Sequence, residues 1–156
     1  MRQAVEWDLI ERVRCVIRLL PIPKPSAQFH DFESFERLVE AAGYLDRQAL
    51  LLVLLGGEGG LRCGEMMALE WQDVDLEKRQ VCVHRSEWKG HVTTTKGGRI
   101  RYVPLTARLT TTLKLHRHLQ STRVLVQADG TPLTQKIVQN HLRRAARRAG
   151  VRPGVH

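Results

Sequence analysis

The chain has 156 residues, 42% of them apolar, enough for one domain with a core and too few for two comfortable ones. No run approaches the roughly 18 consecutive apolar residues of a membrane span, Glu6, Asp8 and Glu11 exclude a signal-peptide core, and the three cysteines (Cys15, Cys63, Cys82) form no C-x-x-C pair, which points to free thiols in a reduced compartment. Residues 88–156 hold fourteen Lys and Arg against one acid, Asp129, while residues 1–87 hold eleven against fifteen. A segment so one-sided repels itself unless a polyanion neutralises it, so nucleic acid is the expected partner. An anionic membrane surface fits less well, because no helix combines this charge with Trp or Phe on an apolar face.

In chain order, residues 1–19 read as a short helix, followed by "LLPIPKPSAQ" with prolines at 21, 23 and 25, an extended linker. The first segment is either a frayed terminus or the end of an upstream module. Asp31 can cap a helix with Phe32, Phe35, Leu38, Val39 and Ala42 on one face, ended by Gly43. Asp46 can cap a second that runs through "ALLLVLL"; apolar on every side, it belongs at the centre of the fold. A third, short helix holds Glu65, Met66 and Leu69 and ends near Trp71. Residues 79–85, "RQVCVHR", alternate as a strand does, with Val81 and Val83 on one side. "HVTTTKGGRIRYVPL" reads as a hairpin whose arms flank Gly97–Gly98, with Lys96 at the tip. Thr106 can cap a helix through Leu119, "RVLVQADGTPLT" is a short strand and turn, and Thr134 caps a last helix to Gly150. The fold class is mainly α with a small antiparallel sheet.

Three basic features stand out. Arg62 sits beside a glycine pair in an otherwise apolar run, where an unpartnered guanidinium is costly. Either it pairs with Glu65 at the helix end, or it serves an anion that the protein does not supply, with Glu65 orienting it. Lys96 is either a solvated tip or, with Lys89, Arg99, Arg101 and the threonines, part of a ribbon that follows phosphates. In the last helix Arg143, Arg144, Arg147 and Arg148 lie opposite Ile137, Val138, Leu142, Ala145 and Ala149, with no acid to offset them, which favours a DNA-facing surface over a plain solvated one. The seven histidines form no metal-binding pattern, and no P-loop or G-x-S-x-G is present, so no metal or cofactor is expected. Tyr44, in a loop between helices, and Tyr102, on a strand, read as packing residues.

Three segments in order, "GGLRCGEMMALEWQDVD", "TKGGRIRYVPL" and "AGVRPGVH", resemble the tyrosine recombinases, the phage-integrase type of site-specific recombinase. The resemblance covers roughly residues 29–156. It implies that 29–156 are part of a recombinase catalytic domain and that 1–28 are the end of a preceding core-binding domain with the interdomain linker. The implied chemistry is metal-free phosphoryl transfer on DNA through a 3′-phosphotyrosyl link. Arg62 would stabilise charge on the non-bridging oxygens, Lys96 would protonate the leaving 5′-oxygen, His156 would donate to the phosphate or shuttle a proton, and Glu65 would support Arg62. The family's second arginine, its next His/Trp position and its tyrosine nucleophile have no counterpart in these 156 residues, since neither Tyr44 nor Tyr102 matches. The expectation is therefore that this chain binds double-stranded DNA without cleaving it. Its implied setting is the bacterial cytoplasm, on the nucleoid when bound, with other recombinase protomers as partners of the whole protein. The competing class is a non-enzymatic DNA-binding module or regulator from a naturally truncated recombinase. A basic RNA-binding domain fits poorly for want of aromatic stacking residues.

Overall fold

The computed structural model describes residues 2–9, 11, 30–95 and 97–152. Among the described residues before residue 30 the one element is a short helix α1 (Arg2–Glu6); the helix expected over 1–19 stops there, since Trp7, Asp8 and Leu9 form a turn and bend, and residues 12–19 and the proline segment lie outside the described residues. From residue 30 the order is α2 (Phe32–Leu45), α3 (Arg47–Gly57), α4 (Cys63–Ala68), a 3-10 turn (Trp71–Asp73), β1 (Val74–Asp75), β2 (Gln80–Val83), β3 (Arg85–Trp88), β4 (His91–Thr94), β5 (Arg101–Pro104), α5 (Ala107–His116) and α6 (Gln135–Ala149). The architecture is α-helical with two small antiparallel sheets, as the composition and patterning predict.

Every helix start read from the sequence is capped as expected. Asp31 Oδ1 accepts from Ser34 N at 2.7 Å, Asp46 Oδ1 from Ala49 N at 2.7 Å, and the Thr106 hydroxyl from Leu109 N at 3.1 Å. Thr134 does the same for Ile137 N at 3.4 Å. The helix ends are read less well. α2 runs through Gly43 to Leu45 and stops where Asp46 turns extended to start α3. Tyr44 is therefore inside α2, and its exposed ring lies 5.1 Å from the Arg148 guanidinium of α6; it is not a buried packing residue. Phe32 heads α2 from outside its apolar face and is 92% exposed. α5 ends at His116, whose ring nitrogen bonds the Val124 carbonyl at 3.0 Å, and Leu119 lies beyond the helix in solvent.

α3 is the centre of the molecule. Leu51, Leu52, Leu54 and Leu55 are completely buried, and α2, α4, α5 and α6 all pack on this helix. Burying four leucines on all sides of one helix contributes on the order of 1.5–3 kcal/mol each before entropy is counted, so this helix anchors everything around it.

The strand pairing differs from the expected hairpin. β1, β2 and β5 form one antiparallel sheet in that order, with Val81 opposite Val103 and Val83 opposite Arg101. β3 and β4 form a separate two-stranded sheet, closed by Trp88 opposite His91. The tight turn of that hairpin is Lys89–Gly90, both at positive φ (49° and 82°), the backbone of a two-residue I′ turn. "GG" at 97–98 instead sits in a connector that carries the chain from one sheet to the other. Within it Gly98 N bonds Thr95 O at 2.8 Å and the buried Thr95 hydroxyl donates to Arg99 O at 2.7 Å.

Candidate functional site

The surroundings of Arg62 are built by the turn after α3. Gly60 adopts φ +60°, a left-handed conformation that costs a side-chain-bearing residue about 1–2 kcal/mol. Leu61 then drops into the core, and Leu61 N bonds Leu55 O at 3.0 Å. Glu58, the one acid among these glycines, accepts from Arg108 Nε at 2.7 Å and from the Thr106 hydroxyl, while Arg108 also forks onto Glu36 at 2.7 and 2.9 Å. The turn is thereby fastened to α5 and α2. Arg62 follows as the extended residue that precedes α4, its side chain 70% exposed.

One helical turn on, Glu65 reaches back to Arg62. Its Oε2 accepts from Arg62 N at 2.7 Å and its Oε1 from Arg62 Nη1 at 3.1 Å. The backbone contact is the acidic half of a capping box, favoured by the positive end of the helix. Arg101, from β5, presents its fork to the same carboxylate, Nη1 to Oε1 at 2.8 Å and Nη2 to Oε2 at 2.7 Å. Glu65 is 2% exposed. Burial alone would push its carboxyl pKa up, but the hydrogen bonds from Arg101, and then those from Arg62, outweigh burial and bring it down to about 2. Bonding to that carboxylate in turn raises the pKa of Arg101. Glu65 is ionised at any physiological pH and sits between two guanidinium groups.

Behind α4 lies a second ionic network. Arg85 bonds Glu70 at 2.9 Å and Asp73 at 2.5 Å, and His84 Nε2 meets the other oxygen of Asp73 at 3.0 Å. Arg123 joins Glu87 at 2.9 Å and also reaches the Met67 carbonyl. β3 passes so close to α4 that a Cβ on Gly64 would lie 2.6 Å from Ser86 Oγ and 2.7 Å from Glu87 O. Gly64 is what lets the helix that carries Glu65 sit flush on the strand.

Of the remaining candidates, Lys89 and Arg99 are exposed, on the β3–β4 turn and the inter-sheet connector respectively. Arg101 is not beside them on one ribbon, because β5 pairs with β2 and its guanidinium faces Glu65. Arg143, Arg144, Arg147 and Arg148 are all exposed on α6, opposite the buried Val138, Ala145 and Ala146. Lys96 and His156 lie outside the described residues. Among the described residues no three His, Cys, Asp or Glu side chains gather as a metal site, and no helix is long and apolar enough to cross a membrane. The Arg85–Glu70–Arg123–Glu87 network has little signature in the sequence; its members are up to 53 positions apart, and only the three acids of "ALEWQDVD" hint at it.

This arrangement of helices and split sheets is the fold of an integrase. The integrase of transposon Tn1549, solved in complex with transposon right end DNA, superposes with a TM-score of 0.74 at 17% identity, over 94% of this chain and 53% of that one. The sequence carries the assignment further: the model of the phage integrase family matches residues 28–156, and the chain belongs to that family. Relatives include an XerC-like tyrosine recombinase of Caldanaerobacter subterraneus, 31% identical over 138 residues (75% of this chain, 35% of the relative). The XerC tyrosine recombinase of Xanthomonas campestris is 29% identical over 149 residues (90% and 42%). The chain thus spans less than half the length of these two relatives. Tyrosine recombinases are an enzyme class.

Proposed function

We propose that this chain is the part of a site-specific DNA recombinase that binds duplex DNA and presents Arg62 to the scissile phosphate. The observation that carries the reading is Arg62 itself. Among the described residues Glu65 is its one acidic partner, and that carboxylate takes a single guanidinium N–H, which leaves most of the fork turned to solvent. A planar cation held by its own backbone and by a buried acid is preorganised for the oxygens of a phosphodiester, whose negative charge grows in the transition state. The whole protein would cut and rejoin DNA through a 3′-phosphotyrosyl intermediate, alongside other protomers, with Lys96 as proton donor to the leaving oxygen and His156 at the phosphate.

The 156 residues alone bind DNA without cutting it. Tyr102 follows Arg101 on β5 and so projects to the opposite side of the strand, and Tyr44 lies against Arg148. Residues 1–28 would be the end of a preceding core-binding domain and the interdomain linker; the family match beginning at residue 28 supports that division. The setting would be the bacterial cytoplasm, on the nucleoid.

The test is a binding titration with duplex DNA, single-stranded DNA and RNA, combined with a gel assay for covalent adducts on a nicked duplex. Preference for duplex with no adduct is the expected result. A covalent adduct overturns the prediction of inactivity, and a preference for single-stranded RNA overturns the recombinase reading.

A further inference from the structure

The Arg101–Glu65 pair has a consequence for Arg62. An ionised carboxylate has about four lone-pair sites, and in Glu65 all four are used: two by the parallel fork of Arg101, one by the Arg62 backbone N–H and one by Arg62 Nη1. Arg101 is the better placed of the two guanidinium groups. Its contacts, at 2.7 and 2.8 Å, form a bidentate pair, and its side chain is 36% exposed against 70% for Arg62. Two cations share one anion, so the cluster keeps one net positive charge, and that charge sits on the exposed member.

Suppose the fork of Arg101 were removed. A buried acid with one remaining guanidinium partner gains most by forming the bidentate pair with it. Arg62 would then fold down onto Glu65, and both its charge and its hydrogen-bonding edge would be consumed within the protein. β5 is well suited to prevent this. It is bonded into the sheet beside β2, with Arg101 opposite Val83, so the blocking guanidinium comes from a rigid element and not from a loop.

We propose that Arg101 is a positioning residue: by occupying the bidentate face of Glu65 it leaves the guanidinium of Arg62 free to face outward for a phosphodiester. This rests on the reading of Arg62 given above. It also assigns Arg101 a role other than the direct DNA contact that its sequence neighbourhood points to.

A double-mutant cycle separates these roles. Affinity for a short mixed-sequence duplex is measured at one fixed salt concentration for the wild-type chain, Arg62→Ala, Arg101→Met and the double variant. The expected loss is about tenfold for Arg62→Ala, the order of one charge-assisted bond. Arg101→Met should lose nearly as much, and the double variant no more than Arg62→Ala alone. Arg101→Lys, which keeps the charge but not the fork, should recover part of the loss; it replaces Arg101→Met in the cycle if that chain does not fold. Additive losses would make Arg101 a DNA contact in its own right and overturn the proposal. A lowered melting temperature with unchanged affinity would overturn it too, leaving a purely structural clasp. If Arg62→Ala binds as well as wild type, the parent reading of Arg62 fails first, a result distinct from either.

Discussion

Replacing Glu65 by Gln should expose how much the fold depends on the acid beneath Arg62. The substitution keeps the shape but removes the charge, and it turns one carboxylate oxygen into an amide that faces donors from Arg62 and Arg101. A carboxyl brought from 4.5 to about 2 contributes about 3 kcal/mol at neutral pH, taking roughly 1.4 kcal/mol for each tenfold change in proton affinity. Truncating one partner of a buried ion pair typically costs about 3–5 kcal/mol. Here the low end applies, because Arg62 and Arg101 are exposed enough to turn toward water. Since the folded pKa is depressed, the contribution is complete above the unfolded pKa of 4.5. It disappears as pH falls toward 2, because the unfolded chain takes up the proton first. Urea unfolding of wild type and Glu65→Gln from pH 7 down to pH 2.5 reads the gap directly, and the other carboxylates cancel in the difference. The gap should be about 3 kcal/mol at pH 7 and shrink steadily below pH 4.5. A gap under about 1 kcal/mol at pH 7, or one that stays constant down to pH 3, would refute an ionised, doubly clasped Glu65.

Two further substitutions probe the frame and the basic face. Gly64→Ala places a methyl group against Ser86 and the Glu87 backbone, so it should cost about 1–3 kcal/mol, seen as a lowered melting temperature; an unchanged melting temperature would mean that α4 and β3 are not in direct contact. Converting Arg143, Arg144, Arg147 and Arg148 together to Gln should leave the fold intact, since all four are exposed. If α6 lies on DNA, the slope of log K against log salt should become shallower by about 3–4, close to 0.9 per lost phosphate contact. An unchanged slope would place α6 away from DNA.

The readable parts of this chain are those governed by local rules. Each of Asp31, Asp46, Thr106 and Thr134 caps a helix within three residues of itself, and the all-apolar run 50–55 could only be central. The Arg62–Glu65 contact was legible for the same reason, because three positions on a helix bring side chains together. What was not legible depends on strand pairing. Gly97–Gly98 is the stronger turn signal, yet the tight turn forms at Lys89–Gly90, because β5 pairs with β2 and puts Val103 opposite the buried Val81. That register also carries Arg101 to Glu65 across 36 positions of sequence, a contact that no spacing rule can anticipate. Gly43 failed as a stop signal because Asp46, three residues on, serves as both the end of α2 and the start of α3.

The central claim, that Arg62 meets DNA phosphate, is tested most directly by NMR of the arginine side-chain Nε–Hε groups during titration with duplex DNA. The Arg62 resonance is identified by its absence in Arg62→Lys. The account predicts that this resonance shifts and saturates with the same affinity as the overall complex, together with those of the α6 arginines. Saturated binding in which the α6 resonances move while that of Arg62 stays at its free position would contradict it.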